Sequence, residues 1–397
     1  MAIAKRIQEA IQGSSWIRKM FEEGARLKAV HGADNVFDFS LGNPDLEPPD
    51  SFRQALKEVA SGDMTGAHAY MPNAGLKETR EAVAAYVSRE QGVKLTADHI
   101  LMTCGAAGAL NCILKALLDP GDEVIVSAPY FVEYGFYAEN HGGRIRVVPT
   151  RSDFTLDLEA IEAAINPATK VILINSPNNP TGQVYDESSL RALGELLTDR
   201  GRRLGRTLYL VSDEPYRKIV YDGFETPSVL AAYRNSVVAT SYSKDLSLPG
   251  ERLGYVVVHP AADQAEALMG GMVLANRILG FVNAPALMQR AVQQLQGACV
   301  DVRLYQVRRD LFCRGLAEAG YDLVQPRGAF YLFPRSPIPD DVAFVRILQQ
   351  KNVLVVPGSG FGAPGYFRIA YCVPERTIKG SLPGFAWARE RALSQKR

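Results

Sequence analysis

No stretch of this sequence is apolar for long enough to cross a bilayer or to act as a secretory signal. Its opening, MAIAKRIQEAIQGSSWIRKMFEEGARLK, interleaves charge with apolar residues at helical spacing. That pattern predicts an amphipathic first helix packed on the protein or on a second copy, and the acidic residues within it argue against a transit peptide. An excess of one charge is missing too. Lys and Arg number 44 against 43 Asp and Glu, which leaves no field to gather nucleic acid or an anionic membrane. Small molecules, or another copy of the chain, are the expected partners. Cysteine is sparse: Cys104, Cys112, Cys299, Cys313 and Cys372 are scattered, odd in number and without C-x-x-C spacing. This speaks against a disulfide framework or a zinc site and for reduced thiols in a cytoplasm. The five histidines (His31, His68, His99, His141, His259) are equally dispersed and read as surface or turn residues. Repeats, low-complexity tracts and flexible linkers are absent from the pattern.

What is present is an ordinary globular composition on a chain of 397 residues, longer than a single core usually serves, so two domains are expected. Short β-branched runs alternate with helical patterns: Val124 to Val126, Val171 to Ile174, Leu208 to Val211 and Val237 to Thr240. The alternation predicts an α/β fold with a mainly parallel sheet sandwiched by helices. Each run ends in polar or turn-forming residues: Ser127-Ala128-Pro129-Tyr130, Asn175 to Pro180, Ser212 to Tyr216, and Ser241 to Lys244. Ligands of open α/β sheets sit at the carboxyl ends of strands, so these clusters should meet in one crevice. From about residue 300 the pattern becomes a long helix followed by short strands. We therefore expect an N-terminal segment (1–50) joining a small α+β domain (301–397), with the large domain (51–300) between them.

Four features carry chemistry. Lys244 follows an apolar strand and is flanked by hydroxyls, where desolvation would lower its pKa and suit it to form a Schiff base with an aldehyde. Asp213 is the first acid after another apolar strand, where a carboxylate needs a cation or hydrogen bonds, and a protonated pyridine nitrogen would serve. Cys104 to Leu110 reads as a small-residue turn entering a helix, a place for phosphate. Arg252 and Arg368 stand apart from acids in sequence, and each could grip an anion with two parallel hydrogen bonds.

Over nearly its whole length, and in the same order, the sequence resembles the class I/II aminotransferases of pyridoxal-phosphate (PLP) fold type I. Ser-Pro-Asn-Asn-Pro-Thr-Gly at 176–182 resembles that family's N-P-T-G segment and Ser212 to Tyr216 its D-x-x-Y. Ser241-Tyr242-Ser243-Lys244 with Arg252-Leu253-Gly254-Tyr255 is similar to its S-x-S-K and R-[LI]-G-[YF] signature. The resemblance implies PLP bound to Lys244 as a Schiff base, with Lys244 later acting as general base. It implies that Asp213 keeps the pyridine nitrogen protonated and that Tyr216 and Asn179 bond the ring's phenolate oxygen. Phe131 would stack on the ring, with Tyr130 a much weaker claimant. The backbone of Gly105, Ala106 and Ala107, with Ser241, Ser243 and Arg252, would hold the phosphate. Tyr70 resembles the tyrosine that reaches the phosphate from a second subunit, which implies a homodimer with shared active sites. Arg368, helped by Asn179 and the backbone near Gly42, would take the substrate's α-carboxylate.

The implied activity is ping-pong transfer of an amino group from an L-amino acid to a 2-oxo acid, with glutamate and 2-oxoglutarate the family's usual pair. Donor identity turns on the stretch Asn276 to Pro285. If Ile278 aligns with the arginine that grips distal carboxylates in relatives, the pocket suits alanine, branched or aromatic donors; if Arg277 does, aspartate and glutamate. The same motifs also support a β-eliminating C-S lyase. A non-catalytic ligand sensor is disfavoured, since fewer than about fifty residues precede the sheet region and no helix-turn-helix pattern is seen.

Overall fold

A computed structural model of the chain describes residues 3–12 and 16–394. Residues 1, 2 and 13–15 of the expected N-terminal segment and 395–397 of the expected C-terminal domain lie outside the described residues. Twelve strands are described: β1 (Phe37–Asp38), β2 (Ile100–Thr103), β3 (Glu123–Ala128), β4 (Arg144–Pro149), β5 (Thr169–Asn175), β6 (Tyr209–Asp213), β7 (Ser236–Ser241), β8 (Gly254–Val258), β9 (Tyr331–Leu332), β10 (Val353–Leu354), β11 (Val356–Pro357) and β12 (Phe367–Ala370). The first six helices are α1 (Lys5–Gln12), α2 (Trp16–His31), α3 (Asp50–Ser61), α4 (Lys77–Gln91), α5 (Gly105–Leu117) and α6 (Glu133–Glu139), of which α1, α5 and α6 line the cavity described below.

Seven strands form the main sheet in the order β2-β8-β7-β6-β5-β3-β4. All run parallel except β8, which is antiparallel to both its neighbours, β2 and β7. Successive residues of one strand serve opposite faces. Val171 and Leu173 pack with Ala109 and Ile113 of α5, whereas Ile172 and Ile174 pack with Leu190, Leu193 and Leu197 on the other side. Because both faces are covered, the central strands read as continuous apolar runs. The edge strand β4 differs: it is mostly exposed and carries Arg144 and Arg146, a charged edge that resists pairing with another sheet.

The smaller domain is made by both ends of the chain. β1 pairs in parallel with β10, and β11, β12 and β9 form an antiparallel sheet. Its core gathers Met20 and Phe39 from the N-terminal side with Phe312, Phe344, Phe367 and Phe385. This pairing delivers the chain after β1 to the main sheet: Phe39 donates its N–H to Leu354 and accepts from Ala370, so Leu41 and Gly42 lie against the cavity described below. Among the described residues no helix is long and apolar enough to cross a membrane.

Candidate active site

Five parallel strands finish along one edge of the sheet, and each hands its next residues to the same cavity of about 780 Å³. β2 leads into the first turn of α5, β3 to Phe131, β5 to Asn179, β6 to Tyr216, and β7 to Ser243 and Lys244. An antiparallel strand starts where parallel ones end, which is why β8, beginning at Gly254, has Arg252 just ahead of it at this edge. The strands pack tightly here: a Cβ on Gly254 would run into the Thr240 carbonyl and lie 2.8 Å from the Gly105 backbone. Gly105 itself has φ +72, and the Arg252 guanidinium lies against it.

Lys244 is half-buried, and its Nζ donates to the Gly42 carbonyl at 2.8 Å. Burial lowers its pKa to about 8; Arg368 and Arg252 push the same way, and Cys372 opposes them. Asp213 is buried. The Tyr134 hydroxyl donates to its Oδ2 at 2.6 Å, while Oδ1 has no partner among the described residues. Burial raises its pKa to about 7, against the Tyr134 hydrogen bond, which lowers it. Asn175 ties the strand ends together: its Nδ2 donates to the Asp213 carbonyl at 2.8 Å and its Oδ1 accepts from the Asn179 N–H at 2.7 Å.

Arg368 is 2 % exposed and has no carboxylate partner among the described residues. Nη1 donates to Asn179 Oδ1 at 3.0 Å, Nη2 to the Ser40 carbonyl at 2.6 Å, and Nε to nothing. The Tyr331 and Phe361 rings stand 4.8 Å from its guanidinium carbon and hold it in place. Burial lowers its pKa, the signature of a cation kept ready for an anion. The Tyr216 and Tyr331 hydroxyls share a hydrogen bond of 2.7 Å.

Nearly all the residues singled out in the sequence are therefore brought together. Gly42, Ala106, Ala107, Phe131, Asn179, Asp213, Tyr216, Ser241, Ser243, Lys244, Arg252 and Arg368 line the cavity, with Gly105 packed behind Arg252. Tyr70 stands apart, 92 % exposed and outside the lining of this chain; Arg277 and Ile278 are exposed and also outside it. Sequence reasoning passed over Tyr134, Tyr331, Glu133 and the isoleucines of α1, Ile7 and Ile11, and placed Asn175 at the crevice without a role; all of them line the cavity. Tyr134 had a signal, standing three residues after Phe131 on the same strand exit.

The residues present fit PLP. A pyridine N–H would complete the partnerless Asp213 Oδ1, a phosphate would meet the first turn of α5 beside Arg252, and an aldehyde would find a lysine that is easily deprotonated.

Gly42 sets how close the domains come. A Cβ there would collide with the Tyr331 hydroxyl, which bonds Tyr216. Gly42→Ala is expected to lower kcat/KM by about 100-fold, the usual consequence of misplacing positioning groups by an ångström. Steady-state kinetics beside an unchanged far-ultraviolet spectrum would check it.

The family model "Aminotransferase class I and II" matches residues 34–381. A crystal structure of an amino transferase from Eubacterium rectale superposes with TM-score 0.95 at 40% identity, covering 98% of this chain and 99% of that one. A single mutant of Thermus thermophilus aspartate aminotransferase gives TM-score 0.87 at 30% identity over 98% of this chain and 100% of its own. A probable aspartate/prephenate aminotransferase of Thermus aquaticus is 36% identical over 355 residues, 88% of this chain and 90% of the relative.

Proposed function

This chain belongs to the class I and II aminotransferases, a PLP-dependent family, and we propose that it transfers the amino group of an L-amino acid to a 2-oxo acid by a ping-pong route at the cavity above. The observation that supports this best is the joint presence, in one cavity, of a lysine with pKa near 8 and a buried carboxylate with a partnerless oxygen. When bound, PLP supplies the electron sink for a Cα carbanion and a carbonyl carbon for the Lys244 Schiff base.

The chain's own residues divide the remaining work. Arg368, already oriented by Asn179, Ser40 and two aromatic rings, binds the α-carboxylate and fixes which substituent of Cα faces Lys244. The Lys244 amine takes the Cα proton and returns one on the other side of the reaction; a pKa near 8 leaves much of it neutral at slightly alkaline pH. Asp213, once paired with a pyridine N–H, stays ionised and keeps that proton in place. When PLP is bound, Tyr216 and Asn179 would bond its phenolate oxygen and Phe131 would cover its ring. The first turn of α5, with Ser241, Ser243 and Arg252, would hold its phosphate. Tyr70 lies on the surface of the single chain, as suits a residue reaching a second subunit's phosphate in a homodimer.

The test is the visible spectrum of the purified protein with PLP, before and after amino acids are added without any 2-oxo acid. Conversion to a pyridoxamine-like spectrum with release of the matching 2-oxo acid is expected. Pyruvate and ammonia from cysteine-type donors would instead make the protein a lyase, and an unchanged spectrum with every donor would make it a binding protein.

Tyr134→Phe removes the only side-chain donor to Asp213 among the described residues and so should raise that carboxyl's pKa further. A loss of about 10-fold in kcat/KM is expected, the size of one hydrogen bond to a charged group. The acidic limb of the pH profile should move upward with it, and a merely structural tyrosine would leave that limb where it was.

A further inference from the structure

Every charged side chain lining the cavity but one has a task in the reading above. Lys244 stands at the reacting carbon, Arg252 beside the phosphate turn, Arg368 at the α-carboxylate and Asp213 behind them. The exception is Glu133. It opens α6, two residues after Phe131, and lines the cavity together with Phe136 and Tyr137 of the same short helix. No described residue gives it a hydrogen bond or an ion pair, and burial alone raises its pKa. The Tyr137 phenol one turn on feels its charge, with its own pKa raised first by burial and then by Glu133.

A half-buried carboxylate without a donor is costly to retain. Of the other lining side chains without a polar task, Ile7, Ile11, Leu41, Leu110 and Phe136 are apolar and Tyr137 adds a phenol. A substrate side chain with a methylene stem and a cationic end would satisfy both kinds of wall. A distal carboxylate would meet like charge, and among the described residues of this chain no lining cation is left to receive it.

We propose that Glu133 determines donor specificity: its carboxylate binds the terminal ammonium or guanidinium of a basic amino acid and turns away aspartate and glutamate. This rests on the aminotransferase reading and names the substrate class for it. The reading above assigns Glu133 neither to the reacting atoms nor to the cofactor, so its effect should fall on the choice among side chains.

The experiment uses the PLP-loaded protein and matched donors, lysine against norleucine and ornithine against norvaline, with glutamate as the acidic comparison. The basic member of each pair should be favoured by about 10- to 100-fold in kcat/KM, the range of a charge-assisted contact. Glu133→Gln should bring the lysine-to-norleucine ratio to near unity and improve glutamate relative to lysine. Calorimetry with 2-methyllysine and 2-methylnorleucine, which carry no α-hydrogen to lose, gives the same comparison without turnover. An unchanged ratio in Glu133→Gln, or a wild-type preference for glutamate, would overturn the proposal. If no donor converts the cofactor, the aminotransferase reading fails, and the binding ratio of the 2-methyl pair still decides the role of Glu133.

Discussion

Replacing Lys244 by alanine is expected to lower kcat/KM by about 10,000-fold or more while the protein still folds. The size follows from the two roles proposed for one amine: the covalent link to the cofactor's aldehyde and the transfer of the Cα proton. Neither neighbouring cation replaces it, because an arginine stays protonated throughout the working pH range. Lys244→Arg should therefore be almost as inactive, although it keeps a positive charge in place. Residual activity above about one per cent of wild type in either variant would mean that another group moves the proton. Stability should respond in the opposite sense. The folded-state pKa is depressed to about 8 from an ordinary lysine value of about 10.4. The stability contribution is thus present above the unfolded value and lost as pH falls through the folded one. At pH 7 the wild-type, PLP-free protein carries a half-buried charge at a cost. Lys244→Met keeps the aliphatic stem and removes the charge, so its PLP-free form should melt higher than wild type at pH 7. The difference should shrink towards zero as pH rises past about 10.

Lys244 and Asp213 were legible in the sequence for a physical reason. A polar residue directly after a β-branched run, in a chain whose runs alternate with helices, has to lie at a sheet edge, and only one edge collects strand ends. The runs seen at Val124, Val171, Leu208 and Val237 all became strands of the main sheet, with ends shifted by a residue or two. Three strands of that sheet escaped notice. β2 is only four residues long, β4 is broken up by exposed arginines, and β8 was read as a signature and not as a strand. Nothing local in Gly254 to Val258 says that it runs against its neighbours, yet that reversal is what puts Arg252 at the site. Tyr331 and Gly42 were harder still, since their contact depends on how the two domains meet; the Tyr216 partner of Tyr331 is 115 residues away in sequence. Glu133 was passed over because a glutamate at a helix start is ordinarily a solvated favourable charge, and only the cavity wall shows that this one is half-buried and without a donor. The choice between Arg277 and Ile278 assumed that one of them faces the substrate. Both are exposed and outside the lining of this chain, as Tyr70 is, so within one chain the side-chain pocket is bounded by Glu133 and the apolar residues around it, and the choice between Arg277 and Ile278 rests with the second subunit of the proposed homodimer.

Asp213→Asn should cost about 100- to 3,000-fold in kcat/KM, the range expected when one member of a buried ion pair is removed. Asparagine keeps the shape and accepts a hydrogen bond from Tyr134, but it cannot oppose the charge of a protonated ring nitrogen, so the carbanion loses its sink. The carboxylate is prepared for that partner. Among the described residues its Oδ1 has none, and burial drives its pKa to about 7. Without a cation, then, the folded protein holds the proton more tightly than the unfolded chain, whose aspartate titrates near about 3.9. For a raised pKa the stabilising contribution is complete below the unfolded value and lost as pH rises through the folded one. The PLP-free wild type should lose melting temperature between about pH 4 and pH 7 from this group, and Asp213→Asn should remove that part of the slope. PLP reverses the preference by giving the ionised carboxylate a cationic partner. The gain in melting temperature on adding PLP should therefore be larger at pH 7 to 8 than at pH 5 in wild type, and this pH dependence should flatten in Asp213→Asn. An Asn variant within tenfold of wild-type activity, or one whose PLP-induced stabilisation keeps the wild-type pH dependence, would remove Asp213 from the ring nitrogen and leave its burial beside Tyr134 a matter of packing alone.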